Sequence, residues 1–104
     1  MTLGGRRVLV TGAARGIGLA VAEAAREAGA AVALSDIDEG PLREAAARLG
    51  VAGVVMDVSD DASAQAGVRA AAEALGGLDG LVNNAAVLDE AHAATVTSER
   101  FRRV

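Results

Sequence analysis

The chain has 104 residues, 52% of them hydrophobic, with a formal net charge of −4 and a pI near 4.8. That length suits one small domain around a single core, and that apolar content makes it globular rather than disordered. An acidic chain whose ten basic residues are all arginines, largely scattered, gives no electrostatic footprint for nucleic acid; the absence of Cys excludes disulfides and thiolate chemistry, and a single His makes a histidine metal site unexpected.

Strand and helix signals alternate along the chain. The first strand is predicted over Arg7–Thr11, on the apolar run Val8-Leu9-Val10. The stretch Thr11-Gly12-Ala13-Ala14-Arg15-Gly16-Ile17-Gly18 follows and opens an alanine-rich helix expected from Gly16 to about Ala28, with Ile17, Ala20, Val21, Ala24 and Ala28 as its apolar face and Gly29 as its stop. Ala31–Ser35 is a continuous apolar run, as a parallel strand buried on both faces requires. The second helix is predicted to begin near Pro41, to present Leu42, Ala45, Ala46 and Leu49, and to stop at Gly50. A third strand covers about Gly53–Met56. The third helix is expected to be capped by Ser59, with Asp60 and Asp61 in its first turn, and to run through Val68, Ala71, Ala72 and Leu75 to Gly76-Gly77. The fourth strand is placed at Leu78–Asn83, a loop at Ala85–Ala94, and a helix start at Thr97-Ser98-Glu99.

No apolar run is long enough for a transmembrane span, and a strand beginning by Val8 leaves no room for a signal peptide, so a cytoplasmic protein is expected. Alternating β and α units with right-handed crossovers predict an α/β fold, a Rossmann-type doubly wound parallel sheet in three layers with strand order 3-2-1-4. The order reverses between strands 1 and 4, so a ligand crevice is expected above their C-terminal ends.

The glycine stretch has the context of a phosphate-cradling loop, between a strand and a helix. Gly12 can make the sharp turn, Gly16 lets a pyrophosphate approach the backbone, and Gly18 lets the helix pack closely on the sheet. The helix's first N–H groups, Ile17 among them, then face the phosphates. Asp36 ends the second strand eighteen residues beyond Gly18, where a carboxylate can accept the adenosine ribose hydroxyls and repel a 2′-phosphate; this predicts NAD in preference to NADP. Arg15 argues the other way, as a cation that could meet a 2′-phosphate, or is simply a solvated arginine. Asp57 can accept from an adenine amino group while Val58 packs on the ring, or Asp57 can serve as a local turn acceptor. Asn83 and Asn84 can pin the sheet, place an amide beside the cofactor ribose, or do both. His92, in a polar loop without a partner acid, reads as solvated.

Taken together, Val8-Leu9-Val10-Thr11-Gly12, the spacing of Gly12, Gly16 and Gly18, Asp36, Asp57-Val58, Leu81-Val82-Asn83-Asn84-Ala85 and Glu99-Arg100-Phe101 resemble the ordinary single-domain branch of the short-chain dehydrogenase/reductase family. The resemblance implies an NAD-dependent oxidoreductase transferring a hydride to or from an alcohol or carbonyl substrate. Gly12, Arg15, Gly16, Ile17, Gly18, Asp36, Asp57, Val58, Asn84 and Ala85 would then contact the cofactor. One departure is Ala86, where the family usually has Gly after Asn-Asn-Ala.

The larger departure is that the family's later catalytic Asn, Ser and Tyr-x-x-x-Lys pair have no counterpart. The chain contains no Tyr and no Lys. Residues 1–104 are therefore read as one NAD(P)-binding unit, the N-terminal part of such an enzyme, inactive alone and belonging to a parent expected to form homo-oligomers. The alternative is a stand-alone, non-catalytic dinucleotide-binding module. A methyl-donor-binding Rossmann enzyme is a weaker third reading, since it gives the Thr-Gly loop and Asn-Asn-Ala no role.

Overall fold

A computed structural model describes residues 3–84. In chain order these form β1 (Arg7–Thr11), α1 (Gly16–Glu27), β2 (Ala31–Asp36), α2 (Glu39–Leu49), β3 (Ala52–Val55), α3 (Asp61–Leu75) and β4 (Gly80–Asn83). The strands make one parallel sheet in the expected order, β3-β2-β1-β4. Leu9 lies opposite Ala33 and Leu81, and Asp36 opposite Val55. The loop and helix start predicted beyond residue 84 lie outside the described residues.

The sheet separates two apolar layers. Val10, Val32 and Leu34 face α1 and α2, whose Ala22, Ala25, Leu42, Ala45 and Ala46 close the larger core. Leu9 and Ala33 face α3, and Ala71 of that helix together with Met56, just after β3, completes the smaller one. Residues Val32–Ser35 are all buried, the pattern of a central strand covered on both faces. Gly67 lets α3 lie directly on Met56: a Cβ there would stand 2.7 Å from Met56 Cγ.

Several local expectations are corrected. The buried face of α1 is Gly18, Ala22 and Ala25 rather than the row beginning at Ile17. Ile17 is 73% exposed. Ala20, Ala22, Ala24 and Ala25 lie on more than one side of α1, so periodicity alone does not fix its buried face; the close approach permitted at Gly18 does. The helix α2 begins two residues before Pro41, with its first bond running from Leu42 N–H to the Asp38 carbonyl. Pro41 still sits in the first turn, where a missing N–H leaves nothing unpaired. Helix α3 is capped in backbone terms by Asp60, not Ser59, and no side chain caps it. The strands shift as well, β3 to Ala52–Val55 and β4 to Gly80–Asn83.

At the end of the sheet remote from the glycine loop, Arg7 ties β1 to the α3–β4 connection. Its Nε and Nη2 donate to Asp79 (3.1 and 3.3 Å), its Nη1 to the Gly76 carbonyl (2.8 Å) and its backbone N to Asp79 Oδ2 (2.9 Å). The hydrogen bonds from the Arg7 side chain and backbone hold the Asp79 carboxyl below its ordinary range, and the same pairing raises Arg7. A carboxyl depressed in the folded state stabilises above its unfolded pKa, near 4, and that contribution is lost as pH falls through the folded value. Asp79→Asn is therefore expected to lower the melting temperature at pH 7, with the difference from wild type closing below about pH 4. A difference that persists unchanged to pH 2 would assign the effect to something other than the ion pair.

An apolar groove of about 550 Å³ lies beside α1 and β4, lined among others by Leu3, Val8, Val21, Ala24 and Val82. It opens on the flank of the sheet rather than above the strand ends that carry the glycine loop.

Candidate functional site

The loop after β1 turns back over the end of β2. Gly12 and Gly16 take positive φ values of 60° and 62°, where any other residue is strained. The Ala13 N–H donates to the Ser35 carbonyl (3.0 Å) and the Ala14 N–H to Asp36 Oδ2 (3.1 Å). A Cβ on Gly18 would overlap the Gly12 carbonyl oxygen, so the third glycine is required by helix-on-strand contact. A Cβ on Gly16 would meet nothing within 4 Å, which leaves the space beside the loop open. Helix α1 has no side-chain cap and no acid in its first turn. Its positive end is uncovered beside that space, the arrangement that suits a phosphate.

Asp36 holds two pieces of backbone. Its Oδ2 accepts from Ala14 and its Oδ1 from the Asp38 N–H (3.1 Å). Each oxygen has a second lone pair, so the carboxylate keeps capacity for two hydroxyl donors. Arg15 is not simply solvated: its Nη2 is 3.0 Å from Asp38 Oδ2. Asp57 is engaged locally, as one of the two sequence readings has it. Its Oδ1 accepts from Ser59 N (3.0 Å) and Ser59 Oγ (2.6 Å), and its N–H donates to Ser63 Oγ (2.9 Å). The Ser59 hydroxyl, and then the Ser59 amide, keep the Asp57 carboxyl below its ordinary range. Ser59 thus belongs to the turn before α3, one residue short of its N-cap position. Asp57 Oδ2 remains able to accept. Val58 is half-buried against the α3-side core.

Thr11, 1% exposed, joins β1 to the end of β4. Its hydroxyl is 2.7 Å from Asn83 Oδ1 and 3.3 Å from the Val82 carbonyl, and it accepts from the Asn84 N–H (3.1 Å). The amide Nδ2 of Asn84 lies 3.0 Å from where a Gly18 Cβ would be. Strand 4 is thus pinned to the glycine loop, with Asn84 against the first turn of α1.

The predicted site residues Gly12, Arg15, Gly16, Ile17, Gly18, Asp36 and Asn84 gather around the C-terminal ends of β1, β2 and β4. Asp57 and Val58 leave the same edge after β3, and Ala85 lies outside the described residues. Sequence reasoning missed Thr11 as a hub, Asp38 as the partner of Arg15, and Ser59 with Ser63 as the setting of Asp57. The acid two residues beyond Asp36 was a visible signal, but its partner was not. Among the described residues no group of three or more His, Cys, Asp or Glu could hold a metal ion, and no helix is long and apolar enough to cross a membrane.

The short chain dehydrogenase family profile matches residues 6–104. Galactitol 2-dehydrogenase of Agrobacterium fabrum is 45% identical, matching 100% of this chain and 41% of its own length. A short chain dehydrogenase from Mycobacterium smegmatis superposes with a TM-score of 0.78 at 42% identity, over 83% of this chain and 38% of that one. A short chain dehydrogenase/reductase from Burkholderia phymatum, solved in complex with NAD, gives 0.73 at 37% identity, over 78% and 31%. The chain therefore spans about two fifths of the length of the curated relative it matches.

Proposed function

The chain belongs to the short chain dehydrogenase family, and from that premise we propose that it is the cofactor-binding part of an oxidoreductase that moves a hydride between NAD and an alcohol or carbonyl substrate. The observation that carries the reading is Asp36 at the end of β2. It is tied by one oxygen to the glycine loop and by the other to the β2–α2 turn, with a lone pair left on each for a ribose diol. A fixed anion there opposes a 2′-phosphate, hence NAD rather than NADP. The open space at Gly16 and the uncapped start of α1 suit the pyrophosphate. The free oxygen of Asp57 and the flank of Val58 suit an adenine edge and face. The NAD complex of the Burkholderia phymatum relative supports the choice of cofactor, and the name of the Agrobacterium fabrum relative supports a hydroxyl-bearing substrate. The nicotinamide would supply the hydride chemistry; the described residues would hold the adenosine and pyrophosphate of the same cofactor.

Catalysis belongs to residues beyond these. The substrate oxygen must exchange a proton as the hydride moves, and a group of matched pKa must lie within hydrogen-bond reach. The chain has no Tyr and no Lys, and Asp36 and Asp57 are assigned to the adenosine end. The 104 residues are expected to bind NAD and to turn over nothing, as one unit of a larger homo-oligomeric, cytoplasmic enzyme. Two assays check this: calorimetric titration with NAD, and NADH formation across a panel of alcohols and of NADH loss across ketones. No detectable NAD binding by a folded chain would end the reading. Turnover that survives removal of host dehydrogenases would end the assignment of catalysis to other residues.

A further inference from the structure

The first acid after β2, Asp36, faces the loop; the second, Asp38, has a different job. Asp38 stands at the N-cap position of α2, yet its carboxylate makes no cap bond to its own helix. It reaches instead across the crevice mouth to Arg15, the N-cap residue of α1, at 3.0 Å. The two acids and the loop close a ring. The Ala14 N–H binds Asp36, Asp36 binds the Asp38 N–H, and the Asp38 carboxylate binds the residue that follows Ala14. Arg15 is thus the cation nearest in sequence to the ribose-facing acid's loop contact, and in this arrangement its charge is already matched.

We propose that Asp38 is a specificity-determining positioning residue: by holding Arg15 it withholds the guanidinium from an adenosine 2′-phosphate. This rests on the NAD-binding reading above and refines it. Asp36 opposes the 2′-phosphate by direct repulsion. Asp38 acts through Arg15, by occupying the group that would otherwise offset that repulsion with a charge-assisted hydrogen bond. Both side chains are mostly exposed, so the pair is weak and screened by salt. Its effect on preference is correspondingly modest, but it operates on the side chain best able to reverse the preference.

The test uses the full chain and binding rather than turnover. NAD, NADP, 5′-AMP and adenosine 2′,5′-bisphosphate are titrated by NMR or calorimetry into wild type, Asp38→Asn, Arg15→Gln and the double variant. Asp38→Asn keeps the backbone N–H that binds Asp36, so the loop anchor is retained. It is expected to tighten the 2′-phosphorylated ligands by about three- to tenfold and to leave NAD and 5′-AMP within about twofold. The gain should shrink at high salt and vanish in the double variant, while Arg15→Gln alone should barely change NADP binding because Arg15 is already engaged. If NAD binds but Asp38→Asn leaves the NAD-to-NADP ratio unchanged, or the double variant keeps the gain, the role of Asp38 is refuted and the cofactor reading stands. If a folded wild type binds none of the four ligands, the cofactor reading falls and the role of Asp38 falls with it. Should Asp38→Asn fail to fold, Arg15→Gln still decides: a severalfold loss of NADP affinity there would mean that Arg15 already serves the 2′-phosphate, against the proposal.

Discussion

Gly18→Ala is expected to destabilise the chain by about 2 kcal/mol and to lower its melting temperature by roughly 10 °C. In an exposed helix the same change would stabilise by about 1 kcal/mol, because alanine is the better helix former. Here the new Cβ would overlap the Gly12 carbonyl oxygen and stand 2.8 Å from the carbonyl carbon and 3.0 Å from Asn84 Nδ2. Two of those atoms are backbone in a tight turn and cannot rotate away, so α1 must lift from β1. That movement disturbs Ala22 and Ala25, which are packed in the larger core. Gly16→Ala provides the contrast. It meets no atom within 4 Å but holds φ at +62°, so only backbone strain of about 1–2 kcal/mol is at stake. Circular dichroism melts of the two variants separate the mechanisms. A Gly18→Ala protein melting at or above wild type would show that the helix is free to shift, contrary to the contact described.

Asp36→Ala is expected to weaken NAD binding by at least about tenfold and to weaken NADP binding much less, so that the preference narrows. The carboxylate serves the fold as well as the ligand. Its loss leaves the Ala14 and Asp38 N–H groups without their acceptor, at about 1 kcal/mol each. The melting temperature of the ligand-free variant should therefore fall by several degrees, and NAD should restore less of it than in wild type. Titration calorimetry and melts with and without cofactor read the two effects apart. Equal loss of NAD and NADP affinity would mean that Asp36 acts only by shaping the loop, and that no hydroxyl contact distinguishes the cofactors.

Much of this was legible from residue order. The bounds of β1 coincide with the predicted Arg7–Thr11, since an apolar run ending at Thr-Gly has one natural place to stop. The buried run of β2 and the left-handed glycines at Gly50 and Gly76 that end α2 and α3 were equally plain. Strand order follows from chirality: right-handed crossovers of short length leave few ways to lay down four parallel strands. The glycine spacing marked the turn between β1 and α1, where Gly12 and Gly16 take positive φ, and Asp36 marked the end of β2.

Other features depend on which groups meet across the chain, and local pattern carries no record of that. The face that α1 buries was misread because its alanines lie on more than one side; the contact at Gly18 broke the tie. Ser59 has the chemistry of a cap, yet the helix starts one residue later with Asp60 at the N-cap position, and the Ser59 hydroxyl donates to Asp57, two residues earlier. Arg15 and Asp38 are twenty-three residues apart, and only the turn of the glycine loop over the end of β2 brings them to 3.0 Å. Thr11 became the joint between β1 and β4 only once the sheet placed Asn83 and Asn84 seventy-two and seventy-three residues later beside its hydroxyl. Periodicity, glycine and charge type therefore set the class of fold and the place of the glycine loop. Long-range hydrogen bonds and close packing decided how its residues are tied together, because those interactions depend on distances in space that sequence separation does not encode.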